Sequence, residues 1–156
     1  MTQEEYTKIK EEFFVLCDLV RLDAYAATGY EWMVVPKTGG NRTMAAQHAL
    51  FIQPTDGIDN DHDGKIDEAD ECVTKADAGQ GPHNYNLARD IVPMVHQGVI
   101  WWEAPKHLWR TMANLAQGHG LVAGYYFEHM FDAPHIEHPR FREVRAAYRA
   151  GEIHVE

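Results

Sequence analysis

A chain of 156 residues that is 45% hydrophobic, with 6 Phe, 4 Trp and 7 Tyr, is long enough to bury one real core and too apolar to stay disordered. Its net charge of -10 is mostly local, because residues 56–71 hold eight acids and one lysine; neither a basic nucleic-acid footprint nor a polybasic membrane patch is present. No apolar run approaches the roughly 20 residues that cross a bilayer, and the acidic start Met1-Thr2-Gln3-Glu4-Glu5 lacks the apolar core of a secretory signal, which predicts a product made in the cytoplasm without a signal peptide.

The expectation is a single domain over residues 1–156. Ile9, Phe13, Leu16, Cys17, Val20, Ala24 and Ala27 recur at three- and four-residue spacing, which predicts a core-packing helix over 4–28. Thr2 and Glu5 form a capping box for it, and Gly29 stops it. Cys17 lies on its apolar face, Cys72 reads as a free thiol, and two cysteines are too few for a disulfide framework. Glu31 to Val35 is a short strand closed by Pro36. After the turn Lys37-Thr38-Gly39-Gly40, residues 41–52 suit a short helix capped by Asn41 or Thr43. Arg42 stands at its start, where a lone arginine is more often a solvated surface charge.

Residues 59–70, Asp-Asn-Asp-His-Asp-Gly-Lys-Ile-Asp-Glu-Ala-Asp, carry the most specific metal signal. Calcium takes six to eight oxygens, and a twelve-residue loop supplies them from positions 1, 3, 5, 7, 9 and 12 with glycine at 6. Asp59, Asp61, Asp63, the Lys65 carbonyl, Asp67 and Asp70 fill those positions, Gly64 makes the turn, and Ile66 supplies an apolar anchor. Aspartate at position 12 resembles dockerin-type loops more than a regulatory EF-hand. One such loop argues against a paired sensor.

Farther on, His83 and Asp90 stand seven positions apart. Imidazole nitrogen and carboxylate oxygen suit zinc, whose catalytic sites use three protein ligands and one open position. Residues 87–95 and 99–102 read as a hairpin through His96-Gln97-Gly98, residues 104–117 as a helix with Pro105 in its first turn, and residues 120–127 as a returning strand or tight approach. His135 can be the third ligand. Asp132, three positions earlier, can sit beside the metal rather than on it. Residues 140–150 close the chain as an amphipathic helix bearing Phe141, Val144 and Tyr148.

Three segments together resemble a family of zinc peptidases that includes VanY-type D-alanyl-D-alanine carboxypeptidases and the L-alanyl-D-glutamate endopeptidases of phage endolysins. The pattern SxHxxGxAxD is matched at His83, Ala88 and Asp90. The element WGGxWxxFxDxPHFE is similar to Ala123 through Glu137, and GxRTxxxQ to Gly40 through Gln47. The departures are Gly81 in the serine slot, Asn86 for glycine, and Gly124-Tyr125 for Gly-Gly.

The resemblance implies an α+β fold, a small antiparallel sheet flanked by helices as in hedgehog-like and D-Ala-D-Ala peptidases, here with an inserted EF-hand-like calcium loop at 56–71. It implies Zn2+ on His83, Asp90 and His135, Asp132 as the catalytic base, and Arg42 on a substrate carboxylate or the oxyanion. It also implies a peptidoglycan stem peptide as substrate. The Asp-x-Pro-His form favours the lytic endopeptidase branch, a monomer with no nucleic-acid partner and no stable membrane association, reaching the cell wall after holin-mediated release. Ca2+ bound upstream would set the wall of the cleft. Two alternatives stay open: a D,D-carboxypeptidase or dipeptidase with the same ligands, and a non-catalytic calcium-binding module.

Overall fold

The computed structural model describes residues 1–155. Its longest element, α1 (Gln3–Thr28), begins where the capping box places it: the Thr2 side chain accepts from Glu5 N, and the Glu5 carboxylate accepts from Thr2 N. It ends at Gly29, whose φ of 75° makes the left-handed C-cap. Tyr6, Ile9, Phe13, Cys17, Val20 and Ala24 form one buried stripe along it. That stripe faces α3 (Lys106–Gly118), which offers Leu108, Trp109, Met112, Ala113 and Ala116 to the same core.

The sheet is antiparallel, in the order β1 (Trp32–Val34), β2 (Ala88–His96), β5 (His135–Glu137), β4 (Val122–Ala123), with β3 (Val99–Ile100) paired to the far end of β2. With α2 (Met44–Ile52) and α4 (Phe141–Arg149) the fold is α+β, a small antiparallel sheet with four helices among the described residues. Arg21 on α1 donates through Nε to Trp32 O at 2.9 Å, which ties the helix to the edge of the sheet. On the other side Phe141 and Tyr148 of α4 pack on the buried Tyr85 ring.

Most element boundaries follow the sequence. Thr43 rather than Asn41 caps α2, its side chain accepting from Ala46 N. The segment 120–127, expected as a returning strand or tight approach, holds a two-residue strand, β4, that turns at once into a 3-10 helix, Gly124–Tyr126. β5 follows Pro134, and its three residues are too few to show alternation in the sequence.

The acidic segment differs from a helix-flanked EF-hand. It runs between 3-10 turns at Gln53–Thr55 and Ala69–Glu71, and Ile66, expected as an apolar anchor, is 58% exposed. The side chain of this segment that turns inward is Glu71, which is buried. Among the described residues no helix is long and apolar enough to cross a membrane.

Candidate metal centre

The turn after β1 builds the first part of the site. Gly39 sits so close to the strand that a Cβ there would lie 2.5 Å from the Val35 Cβ. The close approach lets Gly39 O accept from Asp90 N at 2.8 Å while Val35 N donates to Asp90 O at 2.9 Å. One residue on, Gly40 O lies 2.8 Å from His83 Nδ1, and Arg42 N donates to His83 O at 3.2 Å. A carbonyl oxygen only accepts, so His83 carries a proton on Nδ1, and Nε2 is the ring atom turned toward Asp90.

The 3-10 turn Pro82–Tyr85 that carries His83 ends at Asn86, whose φ of 57° is left-handed. Glycine is the default for that backbone and asparagine is among the few other residues that enter it readily. The replacement of glycine noted in the sequence therefore keeps the turn rather than altering it.

The second histidine arrives by strand register. Asp90 of β2 pairs with His135 of β5, which sets His135 Nδ1 3.2 Å from Asp90 Oδ1; His83 Nε2 lies 3.4 Å from the same oxygen. One ligand atom from each of His83, Asp90 and His135 falls within 4.8 Å of the others. Two imidazole nitrogens and a carboxylate oxygen facing a cleft of about 440 Å³ form a donor set that fits a catalytic metal with an open position.

Burial would raise the Asp90 carboxyl, yet hydrogen bonds from His135 and His83 hold it well below the usual carboxylate range. Burial would likewise lower His135, and the hydrogen bonds to Asp90 and Glu137 outweigh it, pushing the ring up to about 9. In the metal-free protein these groups form a charged, mutually stabilising cluster.

Asp132 stands beside this cluster, its Oδ2 4.0 Å from His135 Nδ1 and its side chain 44% exposed to the cleft. Partial burial pushes its carboxyl above the ordinary value against the pull of His135, and the charge of Asp90 adds to the rise. A carboxylate shifted this way, at the edge of a cleft, is suited to proton transfer.

Arg42 is not the solvated charge a lone arginine suggests. Its side chain is 10% exposed, with Nη2 3.5 Å from Asp90 Oδ2, Nε donating to Thr38 O at 2.7 Å and Nη1 to Gln47 Oε1 at 3.2 Å. Burial lowers its pKa and the Asp90 charge opposes that. Gln47, itself buried, also donates through Nε2 to Thr74 Oγ1 and Ala76 O. Residues 72–76 form one wall of the cleft, so Gln47 bridges that wall to the arginine beside the ligand carboxylate.

In the acidic loop, Asp59 and Asp61 come together with Glu71, one residue past the expected position 12. Glu71 accepts from Asn60 N at 2.7 Å and Glu68 N at 3.0 Å. Asp63 pairs with the Lys65 ammonium at 3.2 Å, Asp67 Oδ1 accepts from Gly57 N, and Asp70 is exposed. Sequence reasoning gave no role to Glu71, Gln47 or Glu137. Glu137 had a signal, its two-residue spacing from His135, which places both side chains on one face of a strand.

His138 is buried outside the ligand group, its ring edge-on to Phe13 and its Nδ1 accepting from Arg140 N.

No family model matches the chain. Among solved structures it is similar to the L-Ala D-Glu endopeptidase ChiX of Serratia marcescens, with 20% sequence identity, 82% of each chain covered and a TM-score of 0.48.

Proposed function

We propose that this chain is a zinc-dependent peptidase of the peptidoglycan stem peptide, acting as an L-alanyl-D-glutamate endopeptidase of the endolysin kind. The observation that carries the reading is the convergence of His83 Nε2, Asp90 Oδ1 and His135 Nδ1 at the floor of a cleft, with Asp132 at its edge. His83, Asp90 and His135 hold the ion. Zinc bound there supplies a Lewis acid that polarises the scissile carbonyl and lowers the pKa of water. Asp132 takes a proton from the attacking water on its carboxylate and returns it to the leaving amine. Arg42 holds the Asp90 carboxylate from behind and offers its unused N–H groups to a substrate carboxylate or to the developing oxyanion.

The choice of the endopeptidase branch rests on the form of the segment Asp132-Ala133-Pro134-His135 and on its resemblance to the endolysin pattern. The enzyme acts as a monomer and reaches the cell wall through a holin-made lesion. In the acidic segment, calcium is held by Asp59 and Asp61 with Glu71, and ordering of residues 56–71 steadies the 72–76 wall of the cleft. Repulsion among these carboxylates gives a cation its purchase.

Digestion of purified peptidoglycan by the zinc-loaded protein tests the reading. A new D-Glu amino terminus is expected. Release of alanine alone would instead make the enzyme a D,D-carboxypeptidase, the reading favoured by the position of Arg42 in the cleft, where it can meet a terminal carboxylate. Absence of both cleavage and stoichiometric zinc would leave a non-catalytic calcium-binding module.

A further inference from the structure

The two histidines of the centre reach Asp90 through different ring atoms, His83 through Nε2 and His135 through Nδ1. For His83 the choice is made by a backbone carbonyl, Gly40 O on Nδ1. For His135 no carbonyl plays that part. The atom opposite its metal-facing nitrogen is Nε2, and it lies 3.0 Å from Glu137 Oε2.

Glu137 owes its position to the sheet. His135 and Glu137 are two residues apart on β5, so their side chains leave the same face. Glu137 lies opposite Ala88 on β2 and Val122 on β4, and the small Ala88 side chain leaves room for a carboxylate and an imidazole on that face. The Glu137 side chain is 18% exposed, and among the described residues its ion-pair partner is His135. A carboxylate placed in the middle of a sheet is costly unless it is paired, and no lysine or arginine meets it here. Its use is found in the ring it faces.

We infer that Glu137 is the positioning residue of the metal centre: by accepting the His135 Nε2–H it fixes the ring orientation and the tautomer that presents Nδ1 to the metal. This rests on the zinc-peptidase reading and adds to it a residue that touches neither metal nor substrate. An outer carboxylate on a metal-binding imidazole raises ligand basicity and holds the ring against rotation, and its loss typically weakens metal binding by roughly 10- to 100-fold.

The test uses the full chain with Glu137→Ala and Glu137→Gln, reading zinc affinity by competition with a chromophoric chelator and the His135 tautomer by nitrogen-15 NMR of the zinc-loaded protein. E137A is expected to weaken zinc roughly 10- to 100-fold and to lose the single Nε2–H tautomer. E137Q, whose amide oxygen accepts the same hydrogen, should keep the tautomer and stay within about tenfold of wild type. E137Q also covers the case in which E137A fails to fold, since loss of the tautomer pattern in a folded E137Q would count against the assignment. Wild-type zinc affinity and tautomer in E137A would overturn the role of Glu137 and leave the peptidase reading intact. Tight zinc binding lost in E137A, with no stem-peptide cleavage by wild type, would do the reverse. A wild-type protein that binds no zinc would overturn both.

Discussion

Gly124 and Asp132 are locked together. Asp132 N donates to Gly124 O at 3.0 Å, and a Cβ on Gly124 would lie 2.6 Å from the Asp132 carbonyl oxygen and 2.9 Å from the His135 Cβ. The contact is with backbone and with a ligand-bearing Cβ, neither of which can swing aside. Gly124→Ala should therefore displace the turn that carries both Asp132 and His135, lowering stability by about 1–3 kcal/mol as overpacking does and weakening zinc binding together with cleavage. Chemical denaturation and zinc titration of the variant check this. Wild-type zinc affinity in G124A would mean the turn absorbs the methyl without moving its ligand.

Asp132→Asn separates chemistry from binding. Asp132 is 4.0 Å from the nearest ligand nitrogen and outside the group of three donors, so the variant should bind zinc as wild type does. Without a proton acceptor its cleavage rate should fall about 10²- to 10⁴-fold, the usual contribution of a positioned general base. Zinc titration beside a peptidoglycan digestion assay measures both. A D132N protein that cleaves at the wild-type rate would remove Asp132 from the mechanism.

The acidic loop gives a prediction that distinguishes two neighbouring acids. Glu71 is buried beside Asp59 and Asp61, and Asp70 is exposed. Calcium should raise the melting temperature of the zinc-loaded protein, Glu71→Gln should remove most of that rise, and Asp70→Asn should leave it nearly whole. The link from this loop to the cleft passes through the 72–76 wall and Gln47 to Arg42, so calcium should also raise activity. Equal melting temperature and activity in calcium and in a chelator that spares zinc would break the coupling. Sensitivity of D70N in place of E71Q would restore the twelve-residue ligand pattern.

What the sequence disclosed follows from the range of the interactions involved. α1 was legible from its 3-4 spacing and capping box, and Asn86 was visible as a departure from the motif, though only the φ of 57° shows why it is harmless. The donor types and the spacing of His83 and Asp90 were legible too. The meeting of Asp90 with His135 across 45 positions depends on β2–β5 register, and β5 is too short to carry a period. Which imidazole nitrogen faces the centre was out of reach, because it is set by Gly40 O and Glu137, contacts made only in the folded chain. Glu71 was passed over for the same reason: an ideal loop template counts positions, whereas the chain chooses the acid its backbone turns inward.

The pH dependence of stability follows from His135. Its ring is held at about 9 in the folded, metal-free protein against an ordinary value of 6.5. The folded state thus retains a proton that the unfolded chain releases between these values. The stabilisation is fully present below about pH 6.5 and is lost as pH rises through about 9. Asp90 does not blur this window, because its depressed carboxyl contributes above the ordinary carboxylate range and changes only in acid. His138, lowered by burial, changes below 6.5, and Cys17, pushed up to about 12, changes above the window. The melting temperature of the metal-free protein should therefore fall between pH 6.5 and 9. Zinc must expel the His135 proton from Nδ1, so its affinity should change the other way, rising by about tenfold per pH unit over the same span. Scanning calorimetry of metal-free and zinc-loaded protein from pH 6 to 9.5 should show the two curves separating as pH rises. His135→Gln should abolish the zinc trend and flatten most of the metal-free one, the Met1 ammonium raised by its hydrogen bond to Glu152 keeping the remainder. A metal-free melting temperature that stays level across the window, in a protein that still binds zinc through His135, would show that the ring is neutral before the metal arrives.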